Sequence, residues 1–506
     1  MPTDRPVNLE AIAFEAMRSY GFAPHFPRSV IREVEALSGG RLSHGGKTGI
    51  VDLRGLLWSS IDNIDSEDLD QIEVCEAKED GSIRIRVAIA DVDHFVPKDS
   101  HADRYAAHNG TSVYTGIVTF PMLPDHLSKD ITSLLPGGDR LAVVLDFTVL
   151  PDGRTRPGGV YRALVRNKAK LVYEVIGAWF EGETGVPDSV TAVAGLEEQL
   201  LLSYEATLRL RHWRAEQGAL ALQTLEARPV VDAGVILDLE VQEQTAAHHL
   251  IEEFMVAANG TMVDFLSKAE VPMIQRIVRV PKYWDEIVRA AAELGEFLPP
   301  TPDAKALAIF LLRRKAADPE RFPDLSLAVV KMLGYGEYVT LRPGGSPIGH
   351  FALAVTDYTH ATAPNRRYAD LIIQRILKAV LADEEVPYSL WELDEHAEWL
   401  TDRDLTAKKV ERFVHKAAAA VLLQDRIGEE FEGLVTGASE KGTYVRLTEM
   451  PAEGRVMEGG EGLRVGWKVK VRLLMTDPEK AWIDFAFVER VKEKGEKREK
   501  GEKREK

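Results

Sequence analysis

The chain reads as an α+β protein built from a short helical module, a large mixed domain and a small C-terminal β-barrel. Three observations predict this. Helical spacing of apolar residues fills the first part of the chain, and the long middle mixes period-2 strands with amphipathic helices but has no βαβ repeat. Beyond Gly428, short apolar stretches alternate with Gly, Pro and charged turns. A length of 506 residues fits about three units at roughly 150 residues each. The expected division is 1–46, 47–427 and 428–490, followed by a charged tail at 491–506.

In the first unit Leu9, Ile12, Ala13, Ala16, Met17 and Tyr20 share a helical face, and Asn8 is placed to cap it. Pro27 opens a second helix, with Val30, Val34 and Leu37 on one side and Gly39-Gly40 as its stop. Two short helices before a Gly-rich turn suit a winged-helix or helix-turn-helix module, or a hairpin that only packs on the next domain. In the middle unit, Ile83, Ile85, Val87 and Ile89 alternate with Ser82, Arg84, Arg86 and Ala88, the pattern of a half-buried strand. Leu141–Val149 is a second strand-length apolar run. After Leu171 the pattern turns helical, with Leu250, Ile251, Phe254, Met255 and Ala258 in one stripe and Leu371, Ile372, Arg375 and Ile376 in another. In the third unit Phe431–Val435, Tyr444–Leu447, Lys468–Leu474 and Trp482–Phe487 are the strands of a small barrel. The tail carries eight basic and five acidic residues in a Lys-Gly-Glu-Lys-Arg-Glu repeat, a composition that favours disorder.

Composition removes several classes of function. Mean hydropathy is −0.16, and no apolar run is long enough to span a bilayer. A single cysteine, Cys75, excludes a disulfide framework and suits a reducing cytoplasm. The Met1-Pro-Thr-Asp-Arg start does not resemble a signal peptide. A net charge of −17 argues weakly against nucleic acid, but a basic groove inside an acidic shell escapes that average. Arg41 breaks the P-loop pattern before Gly46-Lys47-Thr48, which leaves no nucleotide-cofactor cradle there. There is no Gly-x-Ser-x-Gly elbow, and the adjacent His248 and His249 face apart on a helix, so they are read as capping or packing groups.

Two clusters remain. Ile61–Gln71 reads Ile-Asp-Asn-Ile-Asp-Ser-Glu-Asp-Leu-Asp-Gln. Asp62, Asp68 and Asp70 stand at offsets 0, 6 and 8, and on an extended segment Asp68 and Asp70 point to one side. Clustered carboxylates repel, and a hard divalent cation is the usual remedy. The alternative is a solvated acidic loop. The second cluster is His360-Ala-Thr-Ala-Pro-Asn-Arg-Arg-Tyr-Ala-Asp370. Arg366 and Arg367 stand near a helix start, a place where cations are unfavourable unless an anion lies in front. Carboxylates plus arginines are the ingredients of metal-assisted phosphodiester hydrolysis.

Together these segments resemble the ribonuclease II / ribonuclease R family. The resemblance continues through Ala88–Val96, Gly110–Tyr114, Phe120–Ser128, Gly218–Leu220, Glu252–Asn259, Gly349–Leu353 and Tyr358–Leu371, in the family's order. It implies an RNB-type catalytic domain over roughly 47–425. The last unit resembles an S1 RNA-binding domain, an OB-fold barrel, through Gly433-Leu-Val, Lys441–Leu447, Gly466–Val471 and Asp477.

By this resemblance the protein is an Mg²⁺-dependent 3′→5′ exoribonuclease with one or two ions, Mn²⁺ being the alternative. It would release nucleoside 5′-monophosphates and a short residual oligomer, working as a cytoplasmic monomer on single-stranded RNA 3′ ends. Asp62, Asp68 and Asp70 match three of the family's four metal-site aspartates, and Gln71 stands at the fourth. Asp70 and Arg366 match the catalytic pair. Tyr114 matches an aromatic that stacks near the RNA 3′ end, and Leu222 stands where relatives carry a clamping Phe. Glu411 matches a carboxylate near the terminal nucleotide, and Arg276 and Arg367 match RNA-contacting positions. Lys441 and Tyr444, beside Arg446, are the expected single-strand platform of the barrel. Gln71 and Leu222 motivate a second reading, a catalytically impaired RNA-binding protein on the same scaffold.

Overall fold

A computed structural model describes residues 7–37, 49–223, 226–232, 235–242, 244–319, 321–439 and 442–491. The Gly39-Gly40 stop, Lys441 and all of the charged tail but its first residue, Val491, lie outside them. The centre is a seven-stranded sheet in the order Ile50–Asp52, Thr155–Arg166, Asp139–Val149, Ile83–Ala90, Gln71–Ala77, Ser59–Asp62, Ala169–Val172. The outermost pair at each edge is parallel and the inner pairs are antiparallel. Helices Leu196–Gln217 and Ala246–Lys268 pack on this sheet, consistent with a mixed rather than a doubly wound architecture.

Strand Ile83–Ala90 departs from its alternating pattern, because it is buried along almost its whole length. Register supplies the reason. Arg86 lies opposite Asp146, and Arg84 lies opposite Glu76. Arg84 Nε donates to Asp146 Oδ1 at 2.9 Å, and Arg86 Nη2 donates to Glu76 Oε2 at 3.2 Å. Arg86 and Asp146 are buried as a pair, whereas Arg84 and Glu76 lie at the solvent edge, so only part of the polar alternation marks a wet face. Arg375 repeats the theme on helix Tyr368–Ala382. It is buried in the apolar stripe and bonds Asp93 at 2.9 Å, Asp103 at 2.7 Å and the Tyr388 hydroxyl at 2.8 Å.

The helical stripe of Ala246–Lys268 is as expected, with Leu250, Ile251, Phe254 and Ala258 buried. His248 completes the helix start, since its Nδ1 accepts from the Thr245 N–H at 3.1 Å while its ring stacks on Tyr173 at 4.0 Å. Two antiparallel ribbons, Glu226–Asp232 with Val235–Gln242 and Met273–Ile277 with Glu337–Leu341, interrupt what reads as a helical region.

The N-terminal helices form at Leu9–Ser19 and Arg28–Ala36. The Asn8 side chain accepts from the Ala11 N–H at 2.9 Å, the predicted cap. The two helices do not make a core of their own. Ala13, Ala16 and Met17 pack with Val113, Phe120, Val410 and Val414, whereas Val30 and Val34 join the central core. The described residues therefore show helices laid on the large domain and no winged-helix unit.

Helix Leu390–Leu422, 33 residues long, runs into the barrel. Ala417, Ala418, Ala419 and Ala420 are all buried there. Their small side chains admit Leu9 on one side and Phe431, Val469 and Phe485 of the barrel on the other. The barrel closes through Glu430–Ser439, Gly442–Leu447, Glu453–Glu458, Trp482–Arg490 and Lys468–Asp477. Strand Glu453–Glu458 was not among the expected four, because its apolar content is only Val456 and Met457. No helix among the described residues is long and apolar enough to cross a membrane.

Two imidazoles give the fold a pH dependence. Burial lowers His350 to about 4. Burial, reinforced by Arg367 and Arg276, holds His360 well below its ordinary value. Both stay neutral in the folded protein where the unfolded chain would take up a proton. Between about pH 6.5 and 4 the unfolded state binds more protons, so stability is full above this window and falls as pH drops through it. The raised Asp70 and Glu73 carboxyls act with the opposite sign over the same range, so the test is a difference: between about pH 7 and pH 5 the urea midpoint of His350→Asn should fall less, or rise more, than that of the unaltered protein. An equal slope in the variant would assign the acid sensitivity elsewhere.

Candidate active site

The acidic loop is tied at both ends. Strand Ser59–Asp62 delivers Asp62, whose Oδ1 accepts from the Asn63 N–H at 2.8 Å and from Ser66 Oγ at 2.6 Å. Lys170 Nζ donates to the carbonyl oxygens of Ile64 and Ser66. At the far end Leu69 is buried, its N–H donates to Ser133 Oγ at 3.0 Å, and Ser133 Oγ donates to the Glu67 carbonyl at 2.6 Å. With Leu69 turned into the core, Asp68 and Asp70 both come under the charge of Arg366, Asp68 bonding the Tyr114 hydroxyl and Asp70 the Asn365 N–H.

Asp70 meets the second cluster. Its Oδ1 accepts from the Asn365 N–H at 2.9 Å, and its Oδ2 lies 3.2 Å from Arg366 Nε. The carboxylate is 2 % exposed, whereas the Arg366 side chain is 44 % exposed, so the guanidinium is shared between Asp70 and open space. Burial raises Asp70 to about 7, against the opposing pull of Arg366 and the Asn365 N–H, and Asp68 adds a further upward push. Asp68 is also raised, first by burial and then by the charge of Asp62. These carboxylates lack enough positive charge to be comfortable together.

The loop carrying Arg366 is fixed from several sides. Thr132 Oγ1 donates to Asn365 Oδ1 at 2.6 Å, and the Ser112 N–H donates to the Arg366 carbonyl at 3.0 Å. Arg367 folds back, donating from Nη2 to Asp370 Oδ1 at 2.7 Å, and the same oxygen accepts from the Ala363 N–H at 2.8 Å. The two arginines therefore divide. Arg366 faces the aspartates, and Arg367 latches its own turn.

Tyr114 completes the group. Its hydroxyl lies 3.3 Å from Asp68 Oδ2, and its N–H donates to Glu411 Oε1 at 3.2 Å. Gly110, just upstream, has φ +71°, and a Cβ there would lie 2.8 Å from Arg403 Cβ on the long helix. Only glycine allows the Tyr114 hairpin to sit this close to that helix.

The remaining predicted residues lie elsewhere. Gln71 is buried at the start of strand Gln71–Ala77. Arg276 is buried and bound to Asp404 Oδ2 at 2.9 Å, with its guanidinium 4.8 Å from the Tyr338 ring centre. Leu222 packs on the satellite core of Trp284, Phe310 and Leu311. Tyr444 is half-buried on the barrel between the buried Thr443 and Val445, and Arg446 is paired with Asp324. Lys441 is outside the described residues.

Two residues escaped the sequence reading. Asn365 looks like a turn residue, yet its N–H holds Asp70. Glu73 is 5 % exposed, its Oε1 lacks a hydrogen-bond partner, and burial followed by the Asp62 charge raises it well above the ordinary range. Its signal was a lone acid between Ile72 and Val74, which alternation assigns to a wet face.

No group of three or more His, Cys, Asp or Glu side chains among the described residues is placed to hold a metal ion. An Mg²⁺ site built from a few carboxylates, waters and substrate phosphate does not require one. The carboxylate oxygens of Asp62, Asp68 and Asp70 are hard donors of the type such an ion takes.

Comparison with known proteins gives two family matches, the RNB domain over residues 50–383 and the RNase II-type exonuclease C-terminal S1 domain over 429–488. The chain is similar to ribonuclease R of Vibrio parahaemolyticus, with 30 % identity over 515 residues covering 94 % of this chain and 60 % of that protein. The chain thus spans about 60 % of the length of the curated relatives it matches first. Among solved structures, Mycoplasma genitalium RNase R in complex with ribose-methylated single-stranded RNA superimposes with a TM-score of 0.86. Identity is 22 %, over 95 % of this chain and 78 % of that one. A yeast pseudonuclease also matches, with a TM-score of 0.68 at 19 % identity over 92 % of this chain and 58 % of that one.

Proposed function

The chain belongs to the ribonuclease II / ribonuclease R family, and from that premise we propose that it is an Mg²⁺-dependent 3′→5′ exoribonuclease acting on single-stranded RNA. The observation that carries this reading is the Asp70–Arg366 contact at 3.2 Å, with Asp68 joined to Tyr114 beside it. The fold alone does not decide the matter, since a pseudonuclease is built on a similar one. A retained charge pair at the reacting centre is what a decayed site has no reason to keep.

Asp62, Asp68 and Asp70 would hold the cation, with the Gln71 amide oxygen as a neutral donor. When bound, Mg²⁺ supplies a more acidic water and neutralises phosphate charge. Water attacks the last phosphorus, the bond to the 3′ oxygen of the preceding nucleotide breaks, and a nucleoside 5′-monophosphate leaves. Asp70 positions the water side of the reaction. Arg366, only half committed to Asp70, offers its remaining donors to the phosphate oxygens as their charge grows.

Tyr114 stacks on a base near the 3′ end and Glu411 sets the height of that hairpin, whereas Arg276, paired with Asp404, Arg367, paired with Asp370, and Leu222, packed on an apolar cluster, would have to leave those contacts to meet RNA. On this reading residues 47–427 are the catalytic unit and 428–490 the RNA-binding unit, where Tyr444 meets the single strand; Lys441, the other residue proposed for that role, lies outside the described residues.

Labelled RNA incubated with Mg²⁺ or EDTA tests the reading. Mg²⁺-dependent release of mononucleotides and a short remnant is expected. Binding without release would support the impaired alternative, which Gln71 favours. A narrower test is Tyr114→Ala. Base stacking on an aromatic is worth about 1–3 kcal/mol, so grip on short RNA should weaken and the remnant should lengthen. Tyr114→Phe keeps the ring but drops the Asp68 contact, and it should leave the remnant unchanged. The same remnant from all three proteins would make Tyr114 a packing residue.

A further inference from the structure

We propose that Thr132 and Ser133 are positioning residues of the reaction, two adjacent buried hydroxyls that together set the spacing between the acidic loop and the Arg366 turn. The proposal rests on the ribonuclease reading above. The Asp70–Arg366 contact at 3.2 Å joins segments 296 positions apart. Both segments are held by one short stretch that belongs to neither. Ser133 Oγ accepts from the Leu69 N–H at 3.0 Å and donates to the Glu67 carbonyl at 2.6 Å, and the Leu134 N–H donates to the Leu69 carbonyl at 3.0 Å. Thr132 Oγ1 lies 2.6 Å from Asn365 Oδ1, on the residue whose N–H holds Asp70. Asn365 Nδ2 has no partner, so among the described residues this hydroxyl is what fixes that side chain. Neighbouring residues thus grip the two halves of the site, 64 and 233 positions away.

The stretch is itself anchored. It follows the π-helical turn His126–Ile131, and the Thr132 N–H closes that wide turn onto the Leu127 carbonyl at 3.0 Å. Arg140 Nε donates to the Ser133 carbonyl at 2.9 Å, and Asn167 Nδ2 donates to the Leu134 carbonyl at 2.8 Å. Ser128, in the same turn, shows what a merely local hydroxyl does, because its Oγ bonds the Leu123 and Pro124 carbonyls, five and four positions away. Thr132 and Ser133 are 3 % and 0 % exposed, so they act through Asn365, Leu69 and Glu67 rather than on RNA. Valine and alanine would fill these places without burying a hydroxyl, so volume alone does not account for them. Spacing does, since a misplacement of about 1 Å between reacting groups can cost roughly a hundredfold in rate.

The test uses the full chain with Mg²⁺ and labelled RNA, and reads single-turnover cleavage beside equilibrium RNA binding. Thr132→Val keeps the shape and loses the hydroxyl, and it should slow cleavage about tenfold with RNA affinity unchanged. Thr132→Ser keeps the hydroxyl and loses the methyl, and it should cleave at nearly the full rate. A packing role would give the reverse order. Ser133→Ala should also slow cleavage. Combined with Thr132→Val it should be little slower than the slower single variant, since either break frees the same spacing. Asn365→Ala removes the other end of the Thr132 contact and keeps the N–H that holds Asp70. It should reproduce the loss, and it serves if Thr132→Val does not fold. Full-rate cleavage by Thr132→Val or Asn365→Ala, a serine variant as slow as the valine one, a loss that falls on RNA affinity instead, or losses that multiply in the double variant, overturns the role. An unaltered chain that releases no mononucleotide would instead sink the ribonuclease reading itself.

Discussion

Asp70→Asn should lower RNA hydrolysis by about two orders of magnitude or more, the scale of losing one preorganised electrostatic group. The substitution changes little else. Asparagine keeps an oxygen to accept from the Asn365 N–H, so the contact between the two loops survives. It removes the charge that faces Arg366 at 3.2 Å and that would hold metal or water. RNA affinity should hold or rise slightly, because a negative charge beside phosphate has gone. Single-turnover cleavage and equilibrium binding, measured on the same labelled RNA, separate the two effects. Cleavage close to wild type would remove Asp70 from the chemistry.

Arg366→Gln should be nearly as damaging, with a loss of roughly a hundredfold in the chemical step. Its Nε is bound to Asp70, but much of the side chain is exposed, so donors remain for a substrate phosphate. Glutamine retains hydrogen bonding to Asp70 and loses the positive charge. Arg366→Lys restores the charge without the planar fork and should recover only part of the rate. The loss should fall mainly on kcat, since charge on the phosphate grows in the transition state. A loss confined to KM would make Arg366 a binding residue. Full rescue by lysine would show that a point charge suffices.

The site was legible where neighbouring residues in the chain are also neighbours in space. The acidic run and the Arg366 turn each stand out by composition, and the spacing of Asp68 and Asp70 already placed them on one side. What the chain could not show is which partner each charge takes. Arg366 and Arg367 are adjacent letters with the same chemistry, yet one meets Asp70 across 296 positions and the other meets Asp370 within its own turn. Glu73 was hidden for a related reason. Alternation assigns a strand acid to solvent, and only the covering of both sheet faces turns it inward. The barrel was readable from four of its five strands. The N-terminal helices were readable as helices but not as a module, since their apolar faces belong to the large domain's cores.

Helix Leu390–Leu422 touches the Tyr114 hairpin through Glu411 and buries Ala419 and Ala420 against the barrel. At 1.5 Å per residue, those points are separated by about 12–14 Å along one unbroken rod. The barrel is therefore not a bead on a string. If the Asp70–Arg366 site cuts RNA as proposed, its distance from the barrel is a fixed gauge, and an RNA strand long enough to touch both would meet them at one spacing rather than at a distribution of spacings. Lengthening the rod by two turns would retune that gauge, and with it the shortest RNA that feels both ends of the machine.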